Sequence, residues 1–429
     1  MTTFSRTLTA VCALVCGATA AAAQTRATVP LTRADATRLA LEHAPRGALA
    51  RADSAAAIAN LLLARQFENP TLSASYSKSD PKGHFSLDIP FDWPSVRQSR
   101  AAAAGLGVSA VSLRTTFGRA ALTLDVDTAY TRAQAVAAHA ALTARTARDS
   151  DSLLVIVTLR RDAGDASDLD VELARVFAGQ SANTAANDSL AAIAARAILQ
   201  SLIGLSLDSV QVSLSEALIA SDSAAGFSVN TTTGSATPIT GAALSPANQR
   251  TASSSFLVAA AEREAEAARY RVLIEQRRRI SAPSLSVGFE AFDATSKGIM
   301  PTIGIGLPLP LFNRNLATIQ LAQAELSRAR ANLNLVRLEQ ATALAAAQRD
   351  ASATRARLAR STQLVASANR IAALSLVAYR EGATPLSTAL DAQRSAREVL
   401  AQYVDDIATA RIAESVLRLF SLSTVGPVP

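Results

Sequence analysis

Two long segments of the chain repeat apolar residues at spacings that alternate between three and four positions. This spacing is typical of a helix that buries one narrow stripe against a partner helix. Gln340 and Gln393 each interrupt one stripe, and many of the other stripe positions are alanine, which permits close helix approach. The stripe residues are Ile319, Ala322, Leu326, Ala329, Leu333, Val336 and Ala343 in the first segment, and Leu386, Ala389, Ala396, Leu400, Tyr403, Ile407, Ala410 and Leu417 in the second.

Proline placement indicates that these helices are very long. Proline is absent from residues 95–237 and 311–384, so neither segment holds the residue that most strongly breaks a helix. A helix over residues 315–379 would be about 98 Å long at a rise of 1.5 Å per residue. No compact domain needs a helix of that length. Periodicity alone also fits a dimeric coiled coil or a soluble helical bundle.

Two shorter segments, about residues 69–93 and 283–312, alternate apolar and polar residues with a period of two. This pattern predicts β-hairpins with one apolar face, and each strand has about nine or ten residues, the length that crosses a bilayer when tilted. A hairpin of a soluble sheet packed on a core is the alternative. The residues predicted to face lipid are Leu72, Tyr76, Phe85, Leu87, Ile89, Leu285, Val287, Phe289, Ile303 and Ile305.

Four strands cannot close a membrane barrel by themselves. An open sheet would leave two edges of unpaired N–H and C=O groups in the hydrocarbon, where no water can satisfy them. If these strands cross a membrane, several chains must therefore contribute to one barrel.

The two halves of the chain repeat one another. The segment NPTLSASYS, from Asn69, matches APSLSVGFE, from Ala282, and RDAGDASDLDVELAR, from Arg161, matches REGATPLSTALDAQR, from Arg380. Such internal similarity indicates a duplicated structural unit. Each unit is predicted to contain a helix, two strands, a long helix, a tight turn and a second helix.

The predicted organisation follows from this duplication. It comprises a signal peptide at 1–23, a first repeat at 24–221, a Ser/Thr/Gly/Pro-rich linker at 222–250, a second repeat at 251–422 and a tail at 423–429. Within the repeats the long helices are predicted at about 95–162 and 315–380, and the helices that follow the turns at about 167–205 and 386–420.

The first residues have the pattern of a cleavable export signal. Arg6 is followed by an apolar stretch and by small residues before Gln24. Cys12 and Cys16 are the only cysteines of the chain and both lie inside this segment, so a disulfide scaffold is excluded for the exported protein. A lipoprotein signal is the alternative, but Val11 and Val15 are poor residues before an acceptor cysteine.

Candidate catalytic and metal-binding chemistry is sparse. The net charge is +7, but the basic residues are scattered along predicted polar helix faces rather than gathered into a nucleic-acid-binding patch. The only histidines are His43, His84 and His139, and they form no ligand cluster in the sequence. There is no glycine-rich phosphate loop and no nucleophile elbow. We therefore expect neither an enzyme nor a cofactor or a resident metal.

Taken together, the order of these segments resembles the TolC family of outer membrane efflux proteins. LPLPLFNRN at residues 307–315 looks most like the CzcC-type branch, which is paired with heavy-metal (cobalt, zinc, cadmium) RND pumps. The resemblance implies a mostly α protein with membrane β structure: a homotrimer with a 12-stranded barrel, four strands from each chain, on a coiled-coil tunnel that spans the periplasm. It also implies a passive exit duct that works with a periplasmic membrane-fusion adaptor and an inner-membrane RND or ABC pump.

The resemblance also assigns roles to the turn between the helices of each repeat. Gly164 and Gly382, with Asp165 and Pro385, would form the periplasmic tip that contacts the adaptor. Asp170, Asp391 and Tyr379 would form the pore constriction or gate. The hairpin turns would then face the cell exterior.

The sequence departs from the family at the expected latch between the coils. Thr384 stands where an arginine is expected, Leu169 replaces its hydroxyl partner, and Thr388 replaces an aspartate of the ring. The acidic residues after Gly164 could equally serve as caps of the following helix.

The expected function is therefore a trimeric outer membrane channel of a tripartite efflux system, with heavy-metal cations as the expected substrate. A drug-efflux or type I secretion duct is an alternative within transport. A periplasmic coiled-coil scaffold or adhesin, whose hairpins pack on its own helices, is the alternative from another class.

Overall fold

The computed structural model describes residues 27–79, 82–205, 210–218, 255–280, 282–291, 299–308, 310 and 314–422. The predicted signal peptide, the 222–250 linker and the 423–429 tail lie outside these residues.

The described chain is dominated by helices, and two of them are exceptionally long. They are α1 (Arg33–His43), α2 (Pro45–Arg65), α3 (Pro94–Asp162), α4 (Asp168–Ile203), α5 (Phe256–Arg277), α6 (Leu316–Arg380) and α7 (Leu386–Ser421). Helix α3 has 69 residues and α6 has 65. None of the described helices has both the length and the apolar character needed to cross a membrane.

The long helices form antiparallel pairs, α3 with α4 and α6 with α7. The predicted stripe residues of α6 and α7 are the buried or half-buried positions of this packing, and Gln393 donates a hydrogen bond to the backbone oxygen of Ala372 at 2.8 Å. A polar residue in the seam is therefore satisfied within the helix pair rather than exposed.

Within the residues that the structure describes, six strands form two sheets. They are β1 (Ala27–Leu31), β2 (Thr71–Tyr76), β3 (Gly83–Pro90), β4 (Val210–Leu214), β5 (Ser284–Ala291) and β6 (Met300–Gly306). Strands β2, β3, β5 and β6 form one antiparallel sheet in that order, so the hairpins of the two repeats pair through β3 and β5.

The parallel pair β1–β4 is absent from the sequence-based prediction. Each of these strands has five residues, and their pairing joins segments that are far apart in the sequence. Leu31 and Val212 are buried here against Tyr130 and Leu199, and the Tyr130 hydroxyl donates to the Leu31 backbone oxygen at 3.0 Å. This small sheet anchors the start of the first repeat midway along α3.

Candidate functional site

The register of the four-stranded sheet places the predicted lipid-facing residues on one side. Directly paired residues of neighbouring antiparallel strands share a face. Phe85 and Phe289 stack on this side with their ring centroids 4.8 Å apart. Most of the apolar side chains are open to solvent in the single chain, as shown by Leu72 at 76% and Ile303 at 79% exposure. The rows across the strands are Leu72–Leu87–Val287–Ile303 and Ile89–Leu285–Ile305.

The opposite face of the sheet is polar and internally hydrogen-bonded. The hydroxyls of Ser73 and Ser86 lie 2.7 Å apart, and the Ser286 hydroxyl donates to the Asp88 carboxylate. The pattern matches a sheet with one face toward lipid and the other toward water.

The helices of the first repeat lie on one side of the protomer and those of the second repeat on the other. Near the sheet the helices pack in the order α2, α3, α5, α6. Toward the helix turns they pack in the order α4, α3, α7, α6. The chain passes from α2 into β2 and from β6 into α6. One side of the protomer is therefore formed by β2, α2 and α4, and the other by β6 and α6. We call these two surfaces the first edge and the second edge.

Both edges expose large apolar side chains. Among the described residues, the inner helices α5 and α7 have no exposed large hydrophobic side chain. Those of the first edge include Leu49, Ile58, Leu62 and Leu63 on α2 and Leu173, Val176, Leu190, Ile193 and Ile198 on α4, and those of the second edge include Leu321, Leu335, Leu338, Leu364, Ile371, Leu374 and Val377 on α6.

The two helix turns at the far end from the sheet have the same geometry. Gly164 has φ +85° and Gly382 has φ +72°, the left-handed conformation that glycine adopts without a steric cost. In each turn the following N–H, of Asp165 or Ala383, bonds back to a helix oxygen at 2.8 Å, as in a Schellman motif. The duplication therefore extends to the backbone hydrogen bonds of the tip.

The tip is held together by an apolar cluster that joins both helix pairs. This tip cluster consists of Val157, Val171, Ala174, Tyr379, Leu386, Ala389 and Leu390. Pro385 is the N-cap residue of α7, and it and Asp165 lie on the surface of the turns. Leu169 is 67% exposed at the same end.

Asp170 caps helix α4. Its carboxylate accepts hydrogen bonds from the Ser167 backbone N–H at 3.1 Å and from the Ser167 hydroxyl at 2.8 Å, while its own N–H donates to the Ser167 hydroxyl at 3.2 Å. This is a reciprocal capping box, with Asp at the third position. One carboxylate thus serves as a cap while lying near Tyr379.

Tyr379 is buried between the two coils at 7% exposure. Burial raises the pKa of its hydroxyl, the Asp170 carboxylate raises it further, and the Arg160 guanidinium opposes both. Within the described residues, neither the Tyr379 hydroxyl nor the buried Thr384 hydroxyl has a hydrogen-bond partner.

Arg160 is not among the predicted tip residues, yet it links the coils. It lies on α3, places its guanidinium 5.1 Å from the Tyr379 ring centroid and donates to the Tyr379 backbone oxygen at 3.2 Å. The expected arginine of the family latch would have come from position 384, which is Thr384. The cation between the coils therefore comes from the first repeat instead. Only the folded arrangement, which joins residues 219 positions apart, identifies it.

Asp391 is exposed and lines a cavity between α3, α4 and α7. The cavity has a volume of about 420 Å³, and its lining includes Phe177, Asp391, Arg394 and Glu398. Arg397 lies 4.9 Å over the Phe177 ring, where burial lowers the pKa of its guanidinium. The structure therefore brings Asp170 and Tyr379 together and leaves Asp391 on the adjacent groove.

His139 faces the neighbouring helix. Its Nε2 lies 2.9 Å from the Asp405 carboxylate, so it joins α3 to α7 above the cavity. Across the described part of the chain, no group of three or more His, Cys, Asp or Glu side chains is placed to hold a metal ion.

Comparisons with known proteins agree with this architecture. The family model described as "Outer membrane efflux protein" matches residues 247–422. No curated protein sequence matches the chain.

Solved structures with the same fold include three that illustrate the likeness. They are VceC from Vibrio cholerae (18% identity, covering 91% of this chain and 96% of that one, TM-score 0.70), the CmeC outer membrane channel from Campylobacter jejuni (14%, 95% and 92%, 0.71), and the open state of the MtrE outer membrane channel from Neisseria gonorrhoeae (15%, 90% and 88%, 0.69). These likenesses confirm the predicted fold class, a mostly helical chain of long antiparallel coils with four strands in its main sheet.

Proposed function

We propose that this chain belongs to the outer membrane efflux protein family and forms the exit duct of a tripartite efflux system. The observation that carries this proposal is the four-stranded sheet, which has one apolar face, one polar face and two open edges in line with apolar helix edges. A scaffold protein gains nothing from an exposed apolar face of this extent.

Because the two edges differ, copies of the chain would join head to tail. A surface that pairs with a different surface on the next copy generates a closed ring or an open filament, depending on the rotation between copies. Three copies would join β2 of one chain to β6 of the next and give a 12-stranded barrel. Joining the chains in this way would also bury the exposed apolar side chains of α2 and α4 against those of α6 in the next chain. Neither the open strand edges nor the apolar stripes would then remain exposed.

The long helices would carry the tip far from the membrane, into the periplasm. Helix α6, with 65 residues, is about 98 Å long. Its far end carries the tip turns, where exposed apolar residues such as Val155, Leu159 and Leu169 are available to a partner. We infer that a periplasmic membrane-fusion adaptor binds there, close to Gly164, Asp165, Gly382 and Pro385, and connects the duct to an inner-membrane RND or ABC pump. The chain itself would be a passive channel with no catalytic residue and no cofactor.

The proposed topology can be tested by surface labelling. Ser79 is exposed in the β2–β3 turn, and Glu381 is exposed at the tip. A Ser79→Cys variant should react with an impermeant thiol reagent on intact cells, whereas Glu381→Cys should react only after the outer membrane is permeabilised. Labelling of both variants only after permeabilisation would contradict an outer membrane location with exterior turns.

We propose heavy-metal cations as the transported substrate, on the strength of residues 307–315 and of acidic side chains near the tip. In a trimer Asp391 would occur three times around the pore, and a ring of carboxylates favours cations. Asp391→Asn should therefore lower cation selectivity in planar bilayers and weaken block by Zn²⁺. Trimer assembly should be unchanged, because the substitution keeps the shape and removes only the charge. If cation selectivity and Zn²⁺ block both stayed at wild-type values, Asp391 would line only the cavity between α3, α4 and α7 and would not lie at the pore constriction.

The gate should depend on Arg160. Replacing Arg160 with Ala removes the guanidinium that bonds the Tyr379 backbone and covers its ring, so the two coils lose their polar link at the tip. We expect a higher resting conductance of the reconstituted trimer, by several fold. Arg175→Ala is the matched control, because Arg175 pairs only with Glu172 of its own helix among the described contacts. Equal conductance of both variants and the wild type would exclude Arg160 from the gate.

A further inference from the structure

A row of potential metal ligands crosses the polar face of the four-stranded sheet. The register pairs Ser75 with His84, His84 with Glu290, and Glu290 with Met300. Because directly paired residues share a face, these four side chains project to the same side from four successive strands. An imidazole, a carboxylate and a thioether thus lie next to one another near the hairpin turns.

The two central members already approach each other. His84 Nδ1 lies 3.5 Å from Glu290 Oε1, and the two side chains remain 41% and 33% exposed. Neighbouring strands are about 4.8 Å apart, so the His84 and Met300 backbones are separated by roughly 10 Å, with Glu290 between them. A cation above Glu290 is therefore within the reach of a long methionine side chain on one side and an imidazole on the other.

The composition of the row is unusual for this chain. Met300 is the only methionine apart from Met1, and His84 is one of three histidines. The remainder of the polar face consists mainly of serine, threonine, glycine and Asp88. Thioether and imidazole donors together favour copper over hard cations such as Mg²⁺ or Ca²⁺, which prefer oxygen.

We propose that His84, Glu290 and Met300 form a binding site for a copper-type cation, one in each protomer. The site lies within the strands of a single chain, so it does not depend on ring closure. Its position in a barrel lumen, where three copies would surround the exit, rests on the proposed function. A site of three ligands open to water binds and releases its ion readily, as a conducting pore requires.

The site can be tested with Ag⁺, a redox-stable probe for Cu⁺. Titration calorimetry on the full-length protein in detergent should show one Ag⁺ bound per chain at this site. His84→Gln and Met300→Leu should each weaken this binding at least tenfold. His43→Gln is the matched control, because His43 lies 3.9 Å from Glu42 in a histidine–glutamate pair on α1. His43→Gln should leave the Ag⁺ affinity of the proposed site unchanged.

Two results would overturn the site. One is an unchanged Ag⁺ affinity in Met300→Leu, which would mean that the thioether is not a ligand; the other is an equal loss in His43→Gln. Native mass spectrometry of the same samples separates this inference from the duct. Monomers that bind Ag⁺ with the expected residue dependence would speak against the trimeric duct but support the site. Trimers whose Ag⁺ binding does not depend on His84 and Met300 would support the duct but exclude the site.

Discussion

Leu87→Arg should prevent assembly of the protein in the outer membrane, whereas Ser86→Arg should be tolerated. Leu87 lies in the central row of the apolar face, between Leu72 and Val287, and it is 37% exposed in the single chain. A cation at mid-bilayer on the lipid face of a barrel costs roughly 2–4 kcal/mol per site. The cost would recur in each of the three proposed subunits.

Ser86 provides the matched control because it is the next residue in the same strand and points to the polar face, where it contacts Ser73. An arginine there would project into water. Val287→Arg and Ser286→Arg give a second pair on β5 with the same expected contrast. Heat-modifiable migration of outer membrane fractions on gels measures assembly. If the arginines on both faces had equal effects, the apolar face would not be the lipid face.

Ile371→Glu should abolish the trimer while the single chain remains folded. Ile371 is 55% exposed on α6 and is one of the exposed apolar residues of the second edge. In the proposed ring this side chain is covered by α4 of the next chain. Burying a carboxylate in place of an isoleucine removes roughly 2 kcal/mol of apolar burial and adds a desolvation cost, at each of three interfaces.

Thr362→Glu is the control on the same helix. Thr362 lies nine positions before Ile371, which places it about 180° away around the helix axis, and it too is exposed. Size-exclusion chromatography with light scattering in detergent should show monomers for Ile371→Glu and trimers for Thr362→Glu. Trimers in both variants would place the interface elsewhere.

The tip shows that the sequence could identify a functional region but not the contacts between residues within it. The family resemblance implies that Tyr379 and Asp170 lie near the constriction, and in the structure the Asp170 carboxylate helps to raise the pKa of the buried Tyr379 hydroxyl. Arg160 carries no distinguishing pattern in the sequence, because it is one of two consecutive basic residues at the end of a helix. Its role depends on which helix of the second repeat packs against α3.

The buried carboxylate of Asp406 shows the same limit. It lies next to the apolar stripe of α7 at 1% exposure, and it binds Arg357 at 2.6 Å together with Ser361 and Gln402. From the sequence alone Asp406 is one of two adjacent aspartates on a helix with many polar residues. Only the register between α6 and α7 decides that it is enclosed and that its charge is paired.

The sequence by itself determined the elements and their class. Three sequence patterns carried the prediction: apolar residues spaced by three and four, long intervals without proline, and two segments that alternate with a period of two. Each pattern depends on residues that are close together in the chain. Local backbone geometry turns these intervals directly into helices and strands. The order of strands across the sheet, the short β1–β4 pair, the two apolar edges and the row from Ser75 to Met300 were decided only by the tertiary structure. They arise from contacts between segments up to more than two hundred residues apart, where a shift of one position in register would exchange the two faces of a strand.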